Sequence, residues 1–205
     1  MCSRLHRMIS FARAERWLPT SSGVESRSQH QVESRLQITI SLVALVIALD
    51  SPIAADVQLV LQRHWDFLHA PKHTAGGLTS PPKSSHHYLD TNGLLAPEVS
   101  FFSARVDGSV VAIGAMVEID SGHGEIKSMH VVVERRGQGL GQKMVEHLIG
   151  VARKRGFARV SLETGSMPEF EPARALYTSA GFVDCGPFAD YKLSVHSRFM
   201  TQVLE

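Results

Sequence analysis

One stretch constrains the fold of this chain more than any other, because it joins an apolar run to a helical pattern through three glycines. It covers residues 131–144 and reads VVVERRGQGLGQKM. The three leading valines are β-branched and typical of a buried strand, and the apolar residues after the glycines recur at helical spacing. The sequence therefore predicts a strand-to-helix junction that contains Gly137, Gly139 and Gly141.

A junction of this kind is suited to binding an anion. The first amides of a helix have no partner inside the helix, and glycine lets a ligand approach the backbone closely. Arg135 and Arg136 add positive charge beside the glycines. The spacing differs from that of the dinucleotide fingerprint and of the Walker loop. Two interpretations follow: the glycines make a simple turn, or they hold a phosphate group, and the flanking arginines favour the phosphate.

Three motifs in a fixed order carry a resemblance to a known family. Residues 136–141, RGQGLG, match the pattern R-x-x-G-x-G; HGEIKSMHV precedes them at 123–131, and PARALYTSAGF follows at 172–182. Together they resemble the GNAT superfamily of acyl-CoA N-acyltransferases, over roughly residues 36–205. The chain also resembles a bacterial-type subfamily of small-molecule acetyltransferases that are described as indoleacetate acetyltransferases. The resemblance implies transfer of an acetyl group from acetyl-CoA, as co-substrate, to an amine.

The fold class that follows is α/β, with a mixed and mostly antiparallel sheet. The GNAT resemblance implies six to seven strands, about four helices, and a splay between the fourth and fifth strands of the family. The residues themselves predict a hairpin with an Asp-Gly turn at 107–108. The resemblance makes the apolar run at 38–49 the first strand. The residues predict a helix at 54–69, a loop at 71–85, a helical turn near 88–95 and strands near 125–133 and 157–163. They also predict a helix from the junction to about 154, a capping box at 166–169 that opens a helix ending at Gly181, and two or three short closing strands.

The resemblance also implies which residues bind the co-substrate. Met129 and Val131 would offer backbone groups to the pantetheine amides, and a strand amide would polarise the thioester carbonyl. The pyrophosphate would lie on the loop residues Arg135, Arg136, Gly137, Gln138, Gly139, Leu140, Gly141 and Gln142. At Phe170 the chain departs from the family, which often has an asparagine there that contacts the pantetheine.

Acetyl transfer to an amine needs a neutral nitrogen. A lysine-like amine pays about 4.6 kcal/mol to be neutral at pH 7, so a positioned base would help. Glu125 stands at the position where histone-type family members carry their catalytic glutamate, and Glu163 is the second candidate. Each carboxylate has an alternative interpretation as an ion-pair partner of a neighbour such as Lys127 or Arg159, and many family members use a water chain instead.

Tyr177 matches the family tyrosine that can protonate the departing thiolate. Its alternative interpretation is a tyrosine whose ring packs in the core. The predicted catalytic residues are therefore Glu125, Glu163 and Tyr177.

The acceptor is the least constrained part of the prediction. By resemblance it would lie near His69, His87 and Lys127, with Ser80, His86 and Tyr191 close by. Lys127 and the histidines can receive a carboxylate, which suggests an amino acid or a similar small acid, although each can equally be a solvated polar residue. Two other functions stay open: acetylation of a protein or peptide, and acyl-CoA binding without turnover.

Composition indicates which other classes of protein this chain does not resemble. A formal net charge of +1 with 43% hydrophobic residues does not indicate nucleic-acid binding, and the apolar run at 38–49 is shorter than the ~20 residues that a membrane span needs. Two cysteines, Cys2 and Cys185, do not make a disulfide framework, and no metal site is expected.

The first 35 residues are rich in arginine and serine, which predicts a disordered extension or a targeting segment before an acetyltransferase domain at 36–205. A cytoplasmic location is expected, or an organelle if that segment is a transit peptide. The resemblance further allows a homodimer.

Overall fold

A seven-stranded sheet organises the chain in a computed structural model that describes residues 44–70, 72–74, 77–79 and 89–205. The strands are β1 (Leu45–Leu49), β2 (Lys72–Thr74), β3 (Gly77–Thr79), β4 (Val99–Val106), β5 (Ser109–Asp120), β6 (His123–Val131), β7 (Arg159–Gly165), β8 (Val183–Cys185) and β9 (Ser197–Val203). The helices are α1 (Ala55–His69), α2 (Thr91–Leu94), α3 (Leu140–Lys154) and α4 (Glu171–Ser179). The sheet order is β1-β4-β5-β6-β7-β9-β8, and β2 pairs with β3 alone.

The predicted fold class is confirmed. All neighbouring strands of the sheet are antiparallel except β6 and β7, which run parallel. The hairpin of β4 and β5 turns at Asp107 and Gly108, where φ is 49° and 78°, as an Asp-Gly turn requires. Helix α3 presents its apolar stripe to the sheet and buries Met144, Val145 and Leu148 completely.

A bulge in β6 decides which side chains of that strand share a face. Opposite Gly114 of β5 the strand holds one extra residue, because Ile113 pairs with His130 while Ala115 pairs with Lys127. Ser128 lies in the bulge at φ 53°, a left-handed conformation that is uncommon for serine. The insertion shifts the alternation, so Lys127 and His130 face the same side of the sheet although they are three residues apart.

The two faces of β6 meet different helices. Met129 lies with Met144 and Leu148 of α3 around Gly114. His130, the next residue, has its ring against His64 and Phe67 of α1. The bulge therefore sets Met129 against α3 and His130 against α1.

The parallel pair opens into a gap. Pairing between β6 and β7 ends at Ile126 and Leu162, yet β6 continues to Val131 and β7 to Gly165. The last residues of both strands are therefore free to line a space between them. This is the predicted splay of two central strands.

Several predicted details were wrong or incomplete. The capping box at 166–169 does not form, because Ser166 donates its hydroxyl to the carbonyl of Val195 and the turn that follows has no side-chain cap. Strand β6 begins and ends two residues earlier than predicted, and Val133 belongs to a short 3-10 helix. Strand β7 lies two residues later than predicted. The loop predicted at 71–85 contains the β2–β3 hairpin. Residues 38–43 of the predicted first strand lie outside the described residues.

Within the described residues, no helix is long and apolar enough to cross a membrane.

Candidate active site

The gap between β6 and β7 opens into a cavity of about 640 Å³. Its walls come from the two strands, the segment 135–142, the N-terminal part of α4 and one side of α1. Glu125, Glu163 and Tyr177, the three predicted catalytic residues, all line it. The fold therefore brings side chains that are far apart in sequence to one concave space.

Residues 135–142, called the glycine loop below, form one end of the cavity. Gly137 and Gly139 both have φ of 75°, a left-handed conformation that suits glycine. A Cβ built on either of them would meet no atom within 4 Å. The left-handed conformation therefore accounts for these two glycines, and the open space beside them leaves their backbone accessible to a ligand.

The glycine loop leads directly into the first turn of α3. Gly139 is the N-cap residue, and it has no side chain to bond the first amides of the helix. Those amides and the positive end of the helix dipole can therefore serve an anionic ligand. Gly141 has a different role, because a Cβ there would lie 3.0 Å from the Leu176 side chain of α4.

Nine of the ten predicted co-substrate residues line the cavity, and Gln138 does not. The nine are Met129, Val131, Arg135, Arg136, Gly137, Gly139, Leu140, Gly141 and Gln142. Arg136 donates from Nε to the carbonyl of Val131 at 3.2 Å and places its guanidinium over the ring of Phe67. The arginine is thus held at the junction between β6 and the glycine loop.

Glu125 sits in a buried cluster with Lys127 and Tyr191. Lys127 Nζ lies 2.9 Å from Glu125 Oε1 and 2.6 Å from the Tyr191 hydroxyl. Tyr191 also donates its hydroxyl to Glu125 Oε1. Both partners bond the same oxygen, so Oε2 carries none of the hydrogen bonds found among the described residues. The predicted alternative, an ion pair between Glu125 and Lys127, is therefore present.

Tyr191 is fixed by aromatic packing as well as by this cluster. Its ring lies 5.0 Å from that of Phe188 and 5.4 Å from that of Phe199. Burial, together with the adjacent Glu125 carboxylate, raises the pKa of Tyr191 far above its ordinary value. The hydroxyl therefore stays protonated and remains a donor to Glu125.

Glu163 faces the same cavity from β7. Burial raises the pKa of its carboxyl, and a hydrogen bond from the Ser197 side chain opposes that rise. The positive charge of Lys127 also opposes the rise, whereas the negative charge of Glu125 adds to it. Glu163 therefore holds a proton at higher pH than an ordinary glutamate does.

Tyr177 combines both of the predicted interpretations. Its ring is buried and lies 5.9 Å from that of Phe182, edge to face, while the residue also lines the cavity. Burial raises the pKa of the Tyr177 hydroxyl well above its ordinary value. The hydroxyl remains protonated and can donate to a group inside the cavity.

Two histidines that the sequence analysis did not single out also line the cavity. The rings of His64 and His130 lie 5.4 Å apart, and both residues line the cavity. His64 Nδ1 and His130 Nε2 are enclosed and have no hydrogen-bond partner among the described residues. Burial lowers the pKa of His64 to about 3 and that of His130 to about 4, helped for His130 by the charge of Arg136. Both imidazoles are therefore neutral near pH 7.

The predicted acceptor residues are placed unequally. Lys127 lines the cavity, whereas His69 does not: its Nδ1 lies 2.8 Å from the Trp65 carbonyl oxygen and its ring stacks on the indole of Trp65. His87, Ser80 and His86 lie outside the described residues. Lys127 and Tyr191 are consequently the predicted acceptor residues that the described structure brings to the site.

Phe170, where the chain departs from the family pattern, and Arg174, which the sequence analysis did not single out, also shape the cavity. The Phe170 ring covers Gly165 so closely that a Cβ on that glycine would lie 2.3 Å from a ring carbon. Arg174 donates from Nη1 to the carbonyls of Gly165 and Met167, at 2.7 and 3.0 Å. Together they fix the chain where β7 turns into α4.

No cluster of three or more potential metal-ligating side chains occurs within the described ranges.

Comparisons with known proteins agree with this geometry. Residues 63–182 match the model of the acetyltransferase (GNAT) family. Over 127 residues the chain is 47% identical to YsnE of Bacillus subtilis, an uncharacterized N-acetyltransferase; the match covers 62% of this chain and 83% of that protein. It is 38% identical over 125 residues to a protein of Azospirillum brasilense named IAA acetyltransferase, covering 60% and 80% of the two chains.

A solved structure extends the likeness to the fold. A Bacillus subtilis acetyltransferase in complex with CoA superimposes with a TM-score of 0.57 at 15% identity, covering 79% of this chain and all of that one.

Proposed function

The chain belongs to the GNAT acetyltransferase family and is an N-acetyltransferase, and from that premise we propose that it moves an acetyl group from acetyl-CoA to the amine of a small molecule. One observation carries the proposal: a single cavity joins the open glycine loop to the buried carboxylates Glu125 and Glu163. An anion-binding end and a proton-accepting end in one space are what this reaction requires.

The glycine loop would hold the pyrophosphate of the co-substrate. Gly137 and Gly139 leave their backbone open, and Arg135 and Arg136 supply positive charge. Met129 and Val131, on the unpaired end of β6, would offer backbone groups to the pantetheine arm. The CoA complex of the Bacillus subtilis acetyltransferase, which has the same fold, supports this assignment.

Acetyl-CoA supplies the acetyl group as a thioester, whose carbon–sulfur bond breaks as the new carbon–nitrogen bond forms. An amine arrives as an ammonium ion, so it must lose one proton before the nitrogen can attack and a second one afterwards. Glu125 accepts the first on Oε2, since Lys127 and Tyr191 both bond Oε1. Glu163 is the alternative acceptor, favoured by its raised pKa.

Tyr177 gives a proton to the sulfur that leaves as a thiolate. The second proton lost by the nitrogen restores the Tyr177 hydroxyl, and Glu125 passes the first to solvent, so the net reaction releases one proton. The bulge at Ser128 leaves an extra residue of β6 outside the ladder pairing, so its backbone can polarise the thioester carbonyl.

The test is acetyl-CoA turnover, followed as free thiol, across small amines, amino acids and short peptides, with the acetyl-CoA Kd measured separately. We expect release that depends on a small amine. Release with peptides alone would replace the small molecule by a protein acceptor. Tight acetyl-CoA binding with no release on any acceptor would indicate a binding module without turnover.

A further inference from the structure

The cavity beyond the glycine loop has a wall of distinctive composition. We call Phe67, Glu125, Lys127, Glu163, Phe170 and Tyr191 the acceptor wall; all six line the cavity. Phe67 comes from α1, and Glu125 and Lys127 from β6. Glu163 comes from β7. Phe170 lies directly before α4, and Tyr191 lies in the segment after β8. This wall is the surface that an acceptor meets if the proposed function holds.

Outside the glycine loop, carboxylates outnumber ammonium groups along the cavity. Apart from Arg135 and Arg136 of the glycine loop, Lys127 is the one lysine or arginine among the described residues that line the cavity. Three carboxylates line it as well, those of Glu125, Glu163 and Glu169. An acceptor that enters this part of the cavity therefore meets more carboxylates than ammonium groups.

The charge of Lys127 is already balanced inside the wall. Its Nζ is shared between Glu125 Oε1 and the Tyr191 hydroxyl, and the side chains of Lys127 and Glu125 are only 12% and 5% exposed. A substrate carboxylate placed on Lys127 would lie next to the Glu125 carboxylate. It would be repelled there, with little water to screen the repulsion.

Three histidines, His64, His130 and His196, line the cavity outside the acceptor wall. His64 and His130 stay neutral near pH 7 because burial lowers the pKa of each to about 3 and about 4. They can donate or accept a hydrogen bond, but they bring no positive charge to an acidic ligand.

The rest of the wall is aromatic. The rings of Phe67 and Phe170 lie 5.3 Å apart, edge to face, and Tyr191 stands beside the carboxylate of Glu125. An aromatic ring packs well against such side chains, and an ammonium group is attracted both to carboxylates and to ring faces.

We propose that the acceptor is a primary arylalkylamine without an adjacent carboxylate: its ring packs against Phe67 and Phe170, and its ammonium group approaches Glu125 and Glu163. This inference rests on the proposed function and gives it a substrate class. It differs from the amino acid that the sequence suggested through Lys127, because that lysine is committed to Glu125.

A matched set of acceptors tests the class. 2-Phenylethylamine and phenylalanine differ only in the carboxylate, and phenylalaninamide replaces that group by an uncharged one of similar size. Rates of thiol release are compared after correction for the neutral fraction of each amine, and binding of each compound to the CoA-bound protein is measured by calorimetry. We expect kcat/KM for phenylethylamine and for phenylalaninamide to exceed that for phenylalanine by about ten-fold or more.

A variant pair ties the preference to the wall. Glu163→Gln should lower the ratio of phenylethylamine to phenylalanine in kcat/KM and in binding, whereas Glu98→Gln, an exposed carboxylate away from the cavity, should leave it unchanged. A catalytic role of Glu163 would lower kcat/KM for phenylethylamine and for phenylalanine alike. It would leave their ratio unchanged, so it does not obscure the result.

The possible failures are distinguishable. Equal or better use of phenylalanine overturns the substrate class and leaves N-acetyl transfer standing, and so does a ratio that Glu163→Gln does not change. If no amine causes thiol release while acetyl-CoA binds, the proposed function fails first and this inference fails with it.

Discussion

The glycine loop draws its binding groups from consecutive residues, 135–142, whereas the acceptor wall takes its side chains from α1, β6, β7 and two later segments. The loop offers mainly backbone amides, which any sequence that permits the conformation can supply. The wall offers specific side chains whose partners are distant in the chain, as in the bond from Tyr191 to Glu125, which spans 66 residues. We therefore expect changes in the loop to alter acetyl-CoA binding, and changes in the wall to alter turnover and the choice of acceptor.

The largest expected effect separates turnover from binding. Glu125→Gln should lower kcat/KM by roughly 10²–10⁴-fold, because the amide cannot accept the ammonium proton, and should leave the acetyl-CoA Kd unchanged. Steady-state thiol release and calorimetry measure the two quantities. Glu163→Gln is the matched variant: a larger loss there than in Glu125→Gln would assign the base to β7.

Tyr177→Phe comes next. Loss of the hydroxyl should reduce kcat by about 10²-fold through the missing proton donor, with the ring still packed on Phe182 and acetyl-CoA binding intact. Single-turnover thiol release checks this directly. Unchanged kcat would mean that Tyr177 only fills the core and that solvent protonates the thiolate.

The loop is tested by a change that adds bulk where the backbone is open. Gly139→Val forces a β-branched residue into φ 75° and places methyl groups over the proposed pyrophosphate site. The acetyl-CoA Kd should rise by about 10–100-fold, as calorimetry would measure. Gly150→Val is the control, since a Cβ there also meets nothing within 4 Å but belongs to the middle of α3. Equal affinity in both variants would place the co-substrate elsewhere.

The smallest effect concerns the stability of the fold and comes from His130, a cavity-lining histidine outside the acceptor wall. His130 has a pKa of about 4 in the folded chain against 6.5 when unfolded, so the unfolded state binds more protons between these values. The free energy of unfolding should therefore fall as pH drops through this window, by up to ~1.4 kcal/mol per pH unit for this group. Urea unfolding of His130→Gln should show a shallower fall than the parent chain; identical slopes would show that His130 is already charged when folded.

The sequence predicted the parts of this structure that are local. The Asp107-Gly108 turn, the amphipathic stripe of α3 and the glycine loop each depend on neighbouring residues, and all three form as predicted. The splay of β6 and β7 was predicted as well, through the family resemblance.

The parts it did not predict depend on distant partners. Nothing in the letter serine at 128 indicates a bulge, yet that bulge turns Lys127 and His130 to one side. The capping box failed because Ser166 finds the Val195 carbonyl, which local spacing cannot reveal. Tyr191 joins Glu125 and Lys127 only because the segment after β8 returns to the sheet.

The central claim is that the glycine loop and the acceptor wall act together in one acetyl transfer. Acetyl-CoA with an isotope-labelled acetyl group, incubated with the protein and 2-phenylethylamine, tests it in one mass-spectrometric measurement alongside a thiol assay. We predict labelled N-acetyl product and free thiol in equal amounts, both dependent on the amine. Thiol release that the amine does not alter, with no labelled amide, would contradict the account.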